Sequence, residues 1–225
     1  NIFIMKILNI ITKEFLLASR SGYEIFMPIV YLLIIIIFFN ISISYVAKDI
    51  MLELLPLMIW ISCLLICILN LETIFKEDYD DGTLEMFLIK NDGIEIGILI
   101  KILSHWLLSN LPIVIVAPLI AMVLGLDTAT TLTLFLTLLI GTPTMSLIGS
   151  IAAALTISLR KNKILVSIIV LPMYVPILIF GTSAVNNSFF KMNYSTELTL
   201  MSFLFFIFLL ITPLACSKAL KISLD

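Results

Sequence analysis

The stretch Ile25-Phe-Met-Pro-Ile-Val-Tyr-Leu-Leu-Ile-Ile-Ile-Ile-Phe-Phe-Asn-Ile-Ser-Ile-Ser-Tyr-Val46 contains no Asp, Glu, Lys or Arg. At about 1.5 Å of rise per residue it can cross a hydrocarbon core about 30 Å thick, so it predicts a transmembrane helix. Working outward, further apolar stretches lie at roughly 54–71, 102–124, 130–159, 164–185 and 198–220, making six candidate spans. A short polar turn with Lys48, Asp49 and Glu53 joins the first two and predicts a tight hairpin. The composition agrees. Of 225 residues 61% are hydrophobic and 12% charged, with a mean hydropathy of +1.22, against about 45–50% and about 25% in soluble domains. Too few polar residues exist to cover a water-soluble core, so lipid must solvate most of the outside. The low Gly 8, Pro 8 and Cys 3 exclude disordered, collagen-like and disulfide-scaffold chains. A net charge of -2 offers no basic excess for nucleic acid.

Placement of the cations predicts orientation. Lys6, Lys13, Arg20, Lys76, Lys90, Lys101, Arg160, Lys161, Lys163, Lys218 and Lys221 fall on one side of a six-span chain, and only Lys48 and Lys191 on the other. Translocating cations is unfavourable, so the rich side reads as cytoplasmic, with both termini inside. Ahead of the first span, Lys6, Asn9, Lys13 and Arg20 share a helical stripe within an apolar segment. Residues 1–20 therefore read as an amphipathic helix lying in the interface, rather than a secretory signal with an unbroken apolar region and cleavage site.

One aqueous segment stands out. Residues 72–101 hold Glu72, Glu77, Asp78, Asp80, Asp81, Glu85, Asp92 and Glu95, eight of the 15 acidic residues. Gly82 suits the left-handed turn that ends a helix, and Thr83 can cap a second short helix with Glu85 in its first turn. Leu84, Phe87 and Leu88 share a face of that helix. An acidic lead-in followed by an apolar stripe suits a groove on a soluble partner, and a solvated acidic loop is the plainer alternative.

The remaining motifs are weaker. His105, the one histidine, lies one helical turn from Lys101 and beside Trp106 at the end of the third span. Such a pair reads as an interface anchor or a buried hydrogen-bonding group, with haem ligation as the alternative. Cys63, Cys67 and Cys216 lack redox spacing and read as small buried residues, and no cluster suggests a bound metal. The Gly141-Thr142-Pro143 run lacks a GK[ST] ending, so nucleotide belongs on another chain. In the fourth span Ser146, Gly149, Ser150, Ala153 and Ala154 permit close helix approach. Pro143, Pro172 and Pro176 are kink points that suggest a moving wall or subunit contact in spans four and five, beside simple packing. Between the last two spans, Asn186 to Glu197 reads as the largest outer loop, with Phe189, Phe190 and Tyr194 dipping into the interface.

Four separated strings then carry a resemblance: Glu72-Thr-Ile-Phe-Lys-Glu-Asp-Tyr-Asp-Asp-Gly-Thr-Leu-Glu85, Lys101-Ile-Leu-Ser-His-Trp106, Leu138-Leu-Ile-Gly-Thr-Pro-Thr144 and Leu171-Pro-Met-Tyr-Val-Pro-Ile-Leu-Ile-Phe-Gly181. In this order and span spacing they resemble CcmB, the haem exporter B family of cytochrome c maturation. The resemblance implies an all-α inner-membrane protein of the ABC-2-like exporter permease type, one domain over 1–225, non-enzymatic, with haem as substrate rather than bound cofactor. It implies an ATPase partner, CcmA, which binds the ATP, membrane partners CcmC and CcmD, and the haem chaperone CcmE. Asp78, Asp81, Gly82, Leu84 and Glu85 fall on the family's coupling segment, a mechanical role. An ABC-2-type permease for another lipid-like substrate and a non-transporting assembly scaffold are the competing readings. A secondary carrier is disfavoured, since the candidate spans hold no acidic residue.

Overall fold

A computed structural model describes residues 23–42, 48–71, 73–84, 94–158 and 163–224. The expected interfacial helix at 1–20, Glu85, the Leu84 face partners Phe87 and Leu88, and the cations Arg160 and Lys161 lie outside the described residues. The described helices are α1 (Tyr23–Ser42), α2 (Lys48–Asn70), α3 (Thr73–Asp80), α4 (Ile94–Ser109), α5 (Leu111–Val123), α6 (Thr128–Thr156), α7 (Lys163–Phe189) and α8 (Ser195–Leu224). No strand occurs among the described residues. Five runs, Ile50–Asp80, Ile94–Val123, Thr128–Thr156, Leu165–Phe189 and Ser195–Ser223, are long and apolar enough to cross a membrane, and α1 adds the shorter Phe26–Ser42. The protein is an all-α polytopic membrane protein whose apolar segments follow the expected order.

The helices overrun the apolar windows, because backbone hydrogen bonding continues through the interface after hydropathy has fallen. Two differences matter. The helix of the third span begins at Ile94, well before Ile102, so Lys101 stands on the same rod as His105 and Trp106. That rod stops at Ser109 and restarts at Leu111, so the span is interrupted at Asn110. Pro112 lies in the first turn of α5, where its missing N–H costs the new helix nothing but cannot continue the old one. The loop expected on the outer side is also shorter: α7 runs to Phe189 and α8 starts at Ser195, leaving a turn at 190–194 with Lys191 at φ 58°. Phe189 and Phe190 meet edge to face with ring centroids 5.3 Å apart.

The turn from α5 to α6 follows from its residues. Gly125, at φ 107°, takes the left-handed conformation after α5. Its N–H bonds to Met122 O at 3.1 Å, and that of Leu126 to Ala121 O at 3.0 Å, the paired bonds of a Schellman cap. Asp127 then caps α6, accepting from the Thr130 N–H at 3.1 Å. Partial burial works against the charged Asp127 carboxyl, but the hydrogen bonds from Thr130 and neighbouring amides outweigh it and hold its pKa below the usual value.

Helix α6 is the centre of the bundle, packing most extensively on α7 and α8 and also on α5, α2 and α4. Its small residues allow this. A Cβ on Gly141 or on Gly181 of α7 would collide with the ring of Trp60, which is fully buried between them. Gly149 likewise admits Leu71 and the Tyr174 hydroxyl. By contrast α8 turns Phe203, Phe206, Leu210 and Leu214 outward, as a lipid-facing helix does.

Candidate functional site

The segment between the second and third spans is built onto the end of α2. Thr73 Oγ1 donates to Asn70 O at 2.9 Å, and the Ile74 N–H reaches Leu71 O at 3.4 Å, so the chain turns directly into α3. Ile74 and Phe75, each 2% exposed, fix α3 to the ends of α4 and α6. Lys76, Asp80 and Asp81 face outward. At Gly82 the chain reverses with φ 69°, and its N–H bonds to Tyr79 O at 3.2 Å. No atom stands within 4 Å of the place a Cβ would occupy there. Only the backbone conformation requires glycine, and it brings buried Leu84 back onto the bundle.

Asp78 and Asp81, grouped by the sequence, have different surroundings. Asp78 Oδ2 pairs with Lys101 Nζ of α4 at 2.5 Å, while Oδ1 accepts from Thr83 Oγ1 at 3.2 Å. The Asp78 carboxylate thus ties α3, the Gly82 turn and α4 together. Asp81 is exposed beside exposed Asp80, which leaves those two carboxylates to present charge outward.

One turn beyond Lys101, His105 has a hydroxyl oxygen near each ring nitrogen. Nε2 lies 2.9 Å from Thr73 Oγ1 and Nδ1 lies 3.3 Å from Ser109 Oγ. Thr73 gives its hydroxyl proton to Asn70 O and Ser109 gives its own to the His105 backbone carbonyl, so Nε2–H donating to Thr73 Oγ1 is the ring hydrogen bond these protons allow, and Nδ1 only faces the Ser109 oxygen. Iron ligation through Nε2 would require the Thr73 bond to break. Trp106 points the other way, and its Nε1 donates to Thr142 Oγ1 on α6 at 2.9 Å.

Next comes Asn110, at the interruption between α4 and α5. It is 2% exposed. Its Nδ2 donates to Ser146 Oγ on α6 at 3.2 Å, and its Oδ1 accepts from Cys67 Sγ on α2 at 3.4 Å. Further along α6, Ser150 Oγ lies 3.6 Å from Cys216 Sγ of α8. Thr142, Ser146 and Ser150, at spacing four, therefore form one polar stripe of α6 that meets α4, the Asn110 break and α8. Ala153 continues the close-packed face, and Pro143, Pro172 and Pro176 lie inside uninterrupted α6 and α7. The Tyr174 hydroxyl donates to Met145 O at 2.7 Å, tying α7 to α6 beside these prolines.

Cys63, Cys67 and Cys216 are buried and free. Among the described residues no group of three or more His, Cys, Asp or Glu could hold a metal ion. Thr83, expected as a helix cap, instead gives its hydroxyl to Asp78, while Thr73, Asn110 and the pairing role of Lys101 carry no signal that the sequence reading used. The Asn110-Leu-Pro112 string inside an apolar stretch was a readable signal, a polar residue two places before a proline.

Comparison with known proteins places this architecture. The model of the CcmB protein family matches residues 5–223. Heme exporter protein B of Haemophilus influenzae is 34% identical over 221 residues, 98% of this chain and 100% of that protein. The Pseudomonas aeruginosa protein of the same name is 34% identical over 214 residues, covering 95% and 96% of the two chains. That of Escherichia coli K12 is 34% identical over 217 residues, covering 96% and 98%. With the family matched almost end to end on an all-helical membrane fold, the chain belongs to the CcmB family.

Proposed function

We propose that this chain is the permease subunit of an ABC-type haem exporter, seated in the bacterial inner membrane with both termini in the cytoplasm. In this reading α3 and the Gly82 turn receive the closure of an ATPase, CcmA, that binds and hydrolyses the ATP. The helical bundle converts that closure into a rearrangement serving haem transfer to, or release of, the chaperone CcmE, alongside CcmC and CcmD. The chain performs no covalent chemistry.

The observation that carries the proposal is the double fastening of α3 to α4, through Asp78–Lys101 and Thr73–His105. A solvated loop would gain little from two side-chain ties to a spanning helix, whereas a mechanical input needs them to move the span. Exposed Asp80 and Asp81 offer a charged rim to a basic partner surface, and buried Ile74, Phe75 and Leu84 keep the segment on the bundle. His105 acts here as part of the fastening rather than as a haem ligand, with its Nε2–H committed to Thr73 Oγ1.

Purification of the tagged chain from its native membrane tests the reading. An ATP-hydrolysing subunit is expected to co-elute, and reversing both rim charges with Asp80→Lys and Asp81→Lys is expected to weaken that association while membrane insertion is unchanged. Absence of a co-eluting ATPase would overturn the proposal. Co-elution of an ATPase without any effect of its ATP on haem-loaded CcmE would favour an exporter of another lipid-like substrate or a scaffold.

A further inference from the structure

We propose that Asn110 is the hinge of the third span, at which movement of α3 is turned into bending between α4 and α5. This rests on the reading that an ATPase engages α3. On one side of the break, α4 carries both ties to α3, through Lys101 and His105. With a rise of 1.5 Å per residue, Lys101 stands about 14 Å along the helix from Asn110, a lever arm of useful length. On the other side, α5 begins at Leu111 as a separate helix with Pro112 in its first turn. Pro112 has no N–H to give to the carbonyl of Leu108, so the two rods lack one of the bonds that would join them.

A break in a spanning helix leaves polar backbone in an apolar surrounding and persists only where other groups compensate it. Asn110 keeps part of the backbone ladder running across the break. Its carbonyl accepts from both the Ile113 and Val114 N–H groups at 3.1 Å, and its own N–H bonds back to Trp106 O at 2.9 Å. Its side chain holds Ser146 on α6 and Cys67 on α2. Both side-chain partners come from single hydroxyl or thiol groups at 3.2 and 3.4 Å, bonds modest enough to exchange as the angle changes. The neighbouring Trp106–Thr142 bond, one turn away on the same stripe of α6, keeps the pivot at a fixed height. A hinge is a few residues at element ends that absorb the backbone change, and the break at Asn110 is the interruption on the spanning rod to which α3 is tied.

The experiment uses the purified complex with its ATPase, with Cys63→Ala, Cys216→Ala and Cys67→Ser, the last retaining a donor to Asn110. Spin labels are placed at Ile96 on α4 and Val123 at the end of α5, both exposed. The distance between them is measured without nucleotide and with ATP and vanadate, and ATP hydrolysis and co-elution are recorded on the same sample. The expected result is a nucleotide-dependent shift of several ångström. The paired substitution Asn110→Leu and Pro112→Ala, which favours one continuous helix, is expected to abolish the shift and lower ATP-dependent release of haem-loaded chaperone about tenfold, within the range of ordinary allosteric coupling. Ser146→Ala, which removes only the acceptor of the amide, is the milder companion should the pair fail to fold, and is expected to reduce the shift. An unchanged distance in a complex that hydrolyses ATP and releases chaperone would overturn the hinge while leaving the permease reading intact. An equal shift in the straightened variant, or in Ser146→Ala when the pair does not fold, would overturn it as well. Lack of a co-eluting ATPase would remove the reading on which the hinge rests, together with the hinge.

Discussion

His105 shows how a residue that looks like a ligand can serve as a fastener. Thr73 Oγ1 accepts from one ring nitrogen, while the Ser109 hydroxyl, committed to the His105 carbonyl, lies beside the other. Replacing His105 with Ala is therefore expected to leave the haem content of the purified complex unchanged while lowering ATP-dependent chaperone release. Loss of haem in step with activity would instead identify a ligand. Asp127 offers a second test at this scale. Its pKa is lowered in the folded state, so its contribution to stability is present above the unfolded value of about 3.9 and is lost as pH falls through the folded value. Asp127→Ala is expected to cost about 1 kcal/mol at neutral pH, the usual worth of a helix N-cap. Asp127→Asn keeps the cap and is expected to flatten the acid limb of the detergent-solubilised melting profile.

At the scale of elements, the Gly82 turn and the Trp60 notch make opposite demands on glycine. Space is open around Gly82, so substitution there is penalised by backbone conformation alone. Gly82→Val is expected to cost about 1–2 kcal/mol in the turn and to uncouple ATP hydrolysis from chaperone release without preventing insertion, whereas Gly82→Asn is expected to be milder. Equal behaviour of the two variants in a coupled assay would contradict this account of the turn. At Gly141 and Gly181 the backbone is ordinary helix and the obstacle is the buried ring of Trp60. Gly141→Ala or Gly181→Ala is expected to lower stability by about 1–3 kcal/mol through overpacking, visible as a lower melting midpoint, and Trp60→Leu is expected to relieve part of the loss in the double variant. Sequence reading located the Gly82 turn because a glycine after an acidic run is a local signal. It could not locate the notch, since a glycine facing a tryptophan two helices away leaves no trace in either helix's own pattern.

For the whole molecule, hydropathy made the all-helical architecture and the order of the apolar segments legible. Lipid acts on each span separately and leaves its mark on each segment's composition. The helix ends were less legible, as at Ile94, because hydrogen bonding outlasts the apolar run. Least legible was the division of labour among the acidic residues between the second and third spans. Asp78 and Asp81 look alike in sequence, and only the approach of Lys101 makes one an internal tie and leaves the other at the surface. Viewed together, the Asp78–Lys101 and Thr73–His105 ties, the Asn110 break and the polar stripe of α6 form a continuous path from one end of the bundle to its centre. The ion pair is partly buried, its Lys101 and Asp78 side chains 15% and 24% exposed, so removing one partner costs more than at a solvated pair and the melting midpoint is read beside coupling. The most direct measurement of the central claim is ATP-driven release of haem-loaded CcmE from the purified complex, comparing the native chain with Asp78→Lys, Lys101→Glu and the charge-swapped pair. The account predicts release that requires ATP, falls in each single variant while the ATPase still co-elutes, and recovers in the swap. Release that is independent of ATP, or equal in all four proteins, would contradict it.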